Sequence, residues 1–246
     1  MNPDRATRLT SLSIFFPAFN DGRSIADLVA RVDGIAHECA SKVEIIVVND
    51  GSADDTADVL AGLQRQMPAL RVITHAYNLG YGNALRSGFA AASCDWVFYT
   101  DGDGQYDPGE LADLVAAVTP EVDVVNGYKR QRHDAWFRLA IGEIYNAFVR
   151  FLFDLKVRDV DCDFRLIRRS LVGQVTLTSD SGAICVELIR ALQDAGARFA
   201  EVEVSHYHRR HGTSQFFTAA RVLNTVRQML QLWWRWTSGA RRRAVT

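Results

Sequence analysis

The sequence predicts an α/β fold: a mostly parallel central sheet flanked by helices, with an amphipathic helix at the C-terminal end. Three observations carry this. Short apolar runs alternate with segments of helical periodicity through the N-terminal half, the pattern of successive strand–helix units. Two runs, Val43–Val48 and Trp96–Tyr99, are almost continuously apolar, as strands covered on both faces are. Each run stops at Asn, Asp or Gly, so polar loops open together on one edge of the sheet, where ligands bind in such folds.

Taken in order, Ser11–Phe16 reads as the first strand, ended by Pro17. Ser24 reads as the cap of a helix running to about Ala40, with Ile25, Leu28, Val29, Val32 and Ile35 on its apolar face. Val43–Val48 is the second strand, and Ser52-x-x-Asp55 reads as a capping box opening the next helix. Arg71–Thr74 is the third strand. Gly80 and Gly82 lead into a helix ending near Ala92; without the Lys-Ser/Thr of a phosphate loop, they read as a tight turn. Trp96–Thr100 is the fourth strand, and Pro108 suits the first turn of a new helix. Val122–Gly127 is a further strand, Trp136–Leu155 and Ile184–Ala195 are helices, and Glu201–Val204 is an edge strand. Gln215–Trp236 has a strong helical pattern through Phe216, Ala219, Leu223, Val226, Leu230 and Trp233.

The chemistry concentrates at Asp101-Gly102-Asp103-Gly104-Gln105. Two carboxylates two residues apart at a strand end can share one divalent cation, and Gln105 adds a neutral oxygen. Oxygen ligands with room for water and phosphate suit Mg²⁺ or Mn²⁺ rather than Zn²⁺. Asp21 and Asp50 stand at the ends of two other strands. Three acidic loops on one edge suit ribose hydroxyls, base N–H groups and a metal-carried diphosphate.

With 246 residues and 48% hydrophobic content the chain can bury the core of one large domain. Its net charge of −1 divides into −9 up to Glu203 and +8 beyond it, where there are eight arginines and no acidic residue. That asymmetry points to an anionic partner at the C-terminal end, either a phosphate group or an anionic membrane surface, although the overall balance gives no sign of nucleic-acid binding. The four cysteines are isolated, which argues against disulfides and zinc and for a reducing cytoplasm. No signal-peptide core and no transmembrane-length apolar run is evident. A cytoplasmic protein lying peripherally on the inner face of a membrane is the expectation.

Four motifs occur in one order: Phe16-Pro17-Ala18-Phe19-Asn20-Asp21, Val47-Val48-Asn49-Asp50-Gly51-Ser52, Asn78-Leu79-Gly80-Tyr81-Gly82-Asn83-Ala84 and Asp101-Gly102-Asp103-Gly104-Gln105. Together, over residues 11–216, they resemble the family-2 inverting glycosyltransferases of GT-A (Rossmann-like) fold, and within them the dolichyl- or polyprenyl-phosphate sugar transferases. The resemblance implies a UDP- or GDP-linked sugar donor bound by Pro17, Phe19, Asp21, Val48, Asp50, Asp101, Gly102, Asp103, Lys129, Arg209 and Gln215. It implies Mg²⁺ or Mn²⁺ on Asp101, Asp103 and Gln105, and a catalytic set of Asp103, Asp161, Arg138 and Arg209. It divides the chain into a transferase domain, 1–213, and a basic helix and tail, 214–246.

The chain departs from the pattern at four places: Asn49 and Phe19 replace an Asp and a Tyr, Asp163 replaces the Gly of a Gly-Phe-Arg, and Gln215 replaces the Lys of an Arg-x-x-Gly-x-Ser-Lys that begins at Arg209. A lipid-phosphate acceptor would need cations (Lys129, Arg138, Arg209) but no base. A sugar-hydroxyl acceptor would need a base, for which Asp161, Asp163 and Glu187 are candidates. A non-catalytic nucleotide-sugar-binding protein is the alternative from another class. The tryptophans and arginines of Leu232–Arg243 suit a membrane interface, against the rival of packing on the core or on a second subunit of a homo-oligomer.

Overall fold

The structure is a computed structural model that describes residues 8–129, 136–209 and 219–243, with side chains over 8–129, 144–209 and 221–238. Strands β1 (Leu9–Ala18), β2 (Ala40–Asn49), β3 (Leu70–Thr74), β4 (Trp96–Thr100), β5 (Val124–Lys129), β6 (Phe164–Arg168) and β7 (Phe199–Val204) form one sheet. The helices are α1 (Gly22–Cys39), α2 (Thr56–Gln66), α3 (Tyr81–Ala91), α4 (Leu111–Ala116), α5 (Trp136–Phe153), α6 (Arg169–Val172), α7 (Ala183–Asp194) and α8 (Ala219–Arg243). The strand order is β3-β2-β1-β4-β6-β5-β7.

The N-terminal half follows the expected pattern. Strands β1 to β4 pair in parallel, and their C-terminal ends lie together, with Ala18 beside Asn49 and Asn49 beside Thr74. The second half breaks it. Strand β6 runs antiparallel to both neighbours, β4 and β5, while edge strand β7 pairs in parallel with β5. Apolar side chains cover both faces. Leu12, Ile14 and Phe16 join α1 and α4 on one, and Phe15, Val97 and Tyr99 join α3 and α7 on the other. A third cluster joins α5, α7 and α8 through Val149, Phe153, Val186, Met229 and Leu232.

Two expected helix starts are corrected. Helix α1 begins at Gly22, and Ser24 lies inside its first turn, its hydroxyl donating to the carbonyls of Asp21 and Gly102. The capping box does not form. Ser52 instead accepts the Asn20 N–H, α2 starts at Thr56, and Asp54 accepts the Thr56 N–H. In both cases a loop of the polar edge takes the hydroxyl that local sequence assigned to a cap. The division between residues 213 and 214 lies outside the described residues.

Arg165 holds the junction where the sheet changes direction. It is fully buried, and its guanidinium donates to Asp163 at 2.7 Å, to Asn126 of β5 at 2.6 Å, to the Tyr99 hydroxyl of β4 and to the Val160 carbonyl. Removing one partner of such a buried pair strands the other. Arg165→Met should therefore cost about 3–5 kcal/mol, read as a lowered denaturant midpoint.

Candidate functional site

The polar edge gathers the loops that follow β1, β2 and β4. Gly102 lies where the first and fourth loops touch: its N–H donates to the Pro17 carbonyl at 3.2 Å, and a Cβ would stand 2.7 Å from that oxygen. Asp103 is thereby brought beside Asp21. Asp103 is buried, one oxygen accepting the Gln105 N–H at 3.0 Å and the other the Arg209 guanidinium at 2.6 Å. The same guanidinium lies 3.8 Å from Asp21. Burial pushes Asp21 up to about 6, although the Phe19 N–H and Arg209 oppose the shift.

Asp101 accepts the Tyr81 hydroxyl at 2.8 Å. Burial, with Asp163 and Asp103 nearby, holds its carboxyl well above the usual range. The Gln105 side chain donates to the Tyr207 carbonyl at 3.0 Å, so its amide is tied to the segment that carries Arg209. Among the described residues no three His, Cys, Asp or Glu side chains converge on one metal position.

Asp50 is built into the loop that seats α3. Its carboxylate accepts the N–H groups of Leu79 and Gly80, both at 2.9 Å, and lies 2.7 Å from His75 Nδ1. His75 Nε2 lies 2.9 Å from the Ser87 hydroxyl. His75, Ser87 and Tyr81 were not singled out from sequence, because a lone His or Tyr near a strand end carries no pattern of its own. Asn49 caps the same turn, accepting the Ser52 N–H at 3.0 Å. Val48 sends its side chain into the core beneath α3. Gly80 and Gly82 act as a close approach: the Gly82 N–H donates to the Asp180 carbonyl, and a Cβ there would stand 2.1 Å from the Ser179 carbonyl oxygen.

Of the three candidate bases, two are engaged elsewhere. Glu187 is buried on α7 and accepts from Thr178 and Ser179 through both oxygens. Asp163 pairs with Arg165, which balances the charge that replaces a glycine, and also meets Cys185. Asp161 lies near Lys129, whose ammonium donates to its backbone carbonyl at 2.6 Å. Burial pushes Asp161 up to about 6, with Lys129 opposing and Asp159 and Asp163 adding to the rise.

Arg168 and Arg169 are structural: Arg168 contacts Asp123 and stacks 4.6 Å from the Trp96 ring, and Arg169 donates to the Cys94 carbonyl. Arg221 of α8 stands 5.7 Å over Phe19. The Arg138 side chain and Gln215 lie outside the described residues.

Asp161 gives a pH test. A carboxyl raised from 3.8 to about 6 binds its proton more tightly folded than unfolded, so its contribution to stability is lost as pH rises across that window. Asp161→Asn should flatten part of the fall in Tm between those values and raise Tm at pH 7 by about 6 °C, measured by thermal denaturation across pH.

The undecaprenyl-phosphate 4-deoxy-4-formamido-L-arabinose transferase of Serratia proteamaculans is 29% identical over 214 residues, 86% of this chain and 64% of that protein. The transferase of the same name from Pseudomonas aeruginosa is 29% identical over 217 residues, 87% of this chain and 62% of that protein. The chain thus spans a little under two thirds of the length of these curated relatives. Among solved structures, glucosyl-3-phosphoglycerate synthase from Mycobacterium tuberculosis, in complex with Mn²⁺, UDP and glucosyl-3-phosphoglycerate, superposes with a TM-score of 0.67. It is 19% identical, with 90% of this chain and 77% of that chain covered, and so shares the fold. The pattern of glycosyl transferase family 2 matches residues 13–176, and the chain belongs to that family.

Proposed function

We propose that this protein transfers a sugar from a nucleotide diphosphate to the phosphate of a polyprenyl lipid, with inversion at the anomeric carbon. The observation that carries the reading is the edge of the sheet: Asp101 and Asp103 crowded together, with the Arg209 guanidinium against Asp103. The names of the relatives, which are undecaprenyl-phosphate transferases, support the acceptor class. The Mn²⁺ and UDP bound to the structural neighbour support the donor class.

Asp101 and Asp103 offer oxygen donors only, and their crowding is what a divalent cation relieves, so the residues fit Mg²⁺ or Mn²⁺. When bound, the metal supplies neutralisation of the diphosphate leaving group. With two carboxylates rather than a full cage, the remaining ligands would be phosphate oxygens and water.

The rest falls to the chain. Arg209, at the acidic edge, offers a planar fork to phosphate oxygens. Asp50, whose carboxylate is held by Leu79, Gly80 and His75, fixes the shape of the loop beside the half-buried Phe19 where a base or ribose would rest. Lys129, at the end of β5, faces the acidic cluster with a cation that an acceptor phosphate can use. A lipid phosphate is ionised at neutral pH and needs no base. A sugar hydroxyl needs one, and Asp161 is the residue whose raised carboxyl favours that second reading.

A lipid acceptor places the enzyme peripherally on a membrane, from the cytoplasmic side in this reading. The basic helix α8 is the part of the chain we infer meets it.

A thermal-shift panel of UDP-, GDP-, CDP- and dTDP-sugars, with and without Mn²⁺, tests the donor site. One nucleotide should stabilise the protein only with metal. Asp103→Asn should then lower transfer to polyprenyl phosphate by about 10²–10³-fold with Tm little changed. Turnover retained in that variant would remove the metal assignment.

A further inference from the structure

A second polar network runs from the loop after β2 into α3. His75 directly follows β3, and its backbone N–H donates to the Asn49 carbonyl at 2.9 Å, one step past the last β2–β3 pair. Its ring spans two elements. Nδ1 lies 2.7 Å from Asp50 Oδ1, and Nε2 lies 2.9 Å from the Ser87 hydroxyl on α3. The His75 and Asp50 side chains are 10% and 4% exposed. A carboxylate accepts and does not donate, so Nδ1 carries the ring hydrogen, and the neutral ring then accepts the Ser87 hydroxyl at Nε2.

Asp50 takes two further N–H groups, from the backbone of Leu79 and Gly80, and these belong to the turn that opens α3. That turn has little freedom. Gly80 stands at φ +96°, and a Cβ there would lie 2.4 Å from the Asp180 carbonyl oxygen. The next residue, Tyr81, begins the helix, and its hydroxyl donates to Asp101 Oδ1 at 2.8 Å. Three consecutive residues thus join the loop after β2 to the loop after β4: Leu79 and Gly80 are gripped by Asp50, and Tyr81 grips Asp101.

We propose that His75 is a positioning residue that couples the nucleotide side of the donor site to its cation side. By holding Asp50 it sets the turn at Leu79 and Gly80, and through Tyr81 it aims the carboxylate of Asp101. The inference rests on the metal-dependent transfer reading and adds to it the route by which the two halves of that site are built together.

The physical basis is the hold on a ligating carboxylate. Groups that hydrogen-bond a metal's ligands without touching the metal fix the orientation of those ligands, and their loss weakens metal binding. Tyr81 is such a group for Asp101, and His75 stands two steps further back. Of the three donors to Asp50, two are backbone amides and the third is the imidazole, so the grip on the turn rests on a side chain that substitution can remove.

The order Asp–His–Ser is also that of acyl-transfer enzymes, in which the serine attacks. Here Ser87 lies in the interior of α3, where N–H groups are committed to the helix ladder and are not free to form an oxyanion pocket. The neighbouring Gly88 lies against the Phe15 ring, where a Cβ would stand 2.3 Å from it. The relay holds a position; it does not present a nucleophile.

The test is Mn²⁺ binding to the full chain, read by electron paramagnetic resonance, alone and with UDP or GDP. His75→Ala and Tyr81→Phe should each weaken Mn²⁺ binding about tenfold. The double variant should lose about as much as either alone, because both act on Asp101 along one route. His75→Asn places an N–H where Nδ1–H stands and should restore most of the affinity. His75→Gln reaches the Nε2 position, fills more of the volume and should not; a packing role alone would rank these two the other way. Hydrogen exchange at the Leu79 and Gly80 amides, measured without ligand, should quicken in His75→Ala and His75→Gln and stay slow in His75→Asn. Wild-type Mn²⁺ affinity in His75→Ala, additive losses in the double variant, or rescue by His75→Gln equal to that by His75→Asn would each overturn the coupling. Labelling of Ser87 by a fluorophosphonate would overturn it too, by making the serine a nucleophile. Failure of the wild type itself to bind Mn²⁺ under all three conditions would remove the metal from the transfer reading and the coupling with it, whereas wild-type binding with unaffected variants would remove the coupling alone.

Discussion

A buried guanidinium organises this protein. Arg165 stands where β4, the last strand of the parallel half, meets the antiparallel β6, and it reaches Tyr99, Asn126, Asp163 and the Val160 carbonyl at once. A charge out of water is tolerated only when its donors are satisfied, so these groups have to arrive together. Asp163 then sits close enough to Asp101 to raise its carboxyl, and Asp101 sits beside Asp103. The charge that makes the edge receptive to a cation is thus set from inside the sheet.

The first half of the fold was legible because its signals are local. The run Trp96–Thr100, cut by Asp101-Gly102-Asp103, forms β4 and its loop with the expected bounds, and the alternation of strand and helix settled the parallel pairing. The direction of β6 was not legible. Periodicity reports which faces a strand buries, not which neighbour it pairs with or in which sense. Asp163 looked like a break in a motif and proved to be the partner of Arg165. Asn49 looked like a lost carboxylate and proved to cap its own turn.

The site was legible in its carboxylates and less so in their surroundings. Asp21 and Asp103 come together through one arginine, as three acidic loops on one edge suggested. Glu187 could not be sorted from Asp161 by sequence, since only tertiary contact with Thr178 and Ser179 shows that its oxygens are spent. The helical period of α8 was plain, but its three-sided character was not. One side meets the core, one holds the loop at Asp180, and one faces out. A hydrophobic pattern distinguishes apolar from polar, and cannot tell a buried stripe from an exposed one on the same helix.

The strand order also bears on how the chain assembles. Strands β1 to β4 can form a four-stranded sheet from the first hundred residues, but β5, next to emerge, pairs with none of them. Until β6 is made, β4 is an edge strand whose five residues are all buried in the finished protein. An open apolar edge of this kind is a template for misassociation. The interval between synthesis of Thr100 and synthesis of Arg168 is therefore the stretch of translation in which the nascent chain most needs shielding, and a chain ending within it would be prone to aggregate through β4.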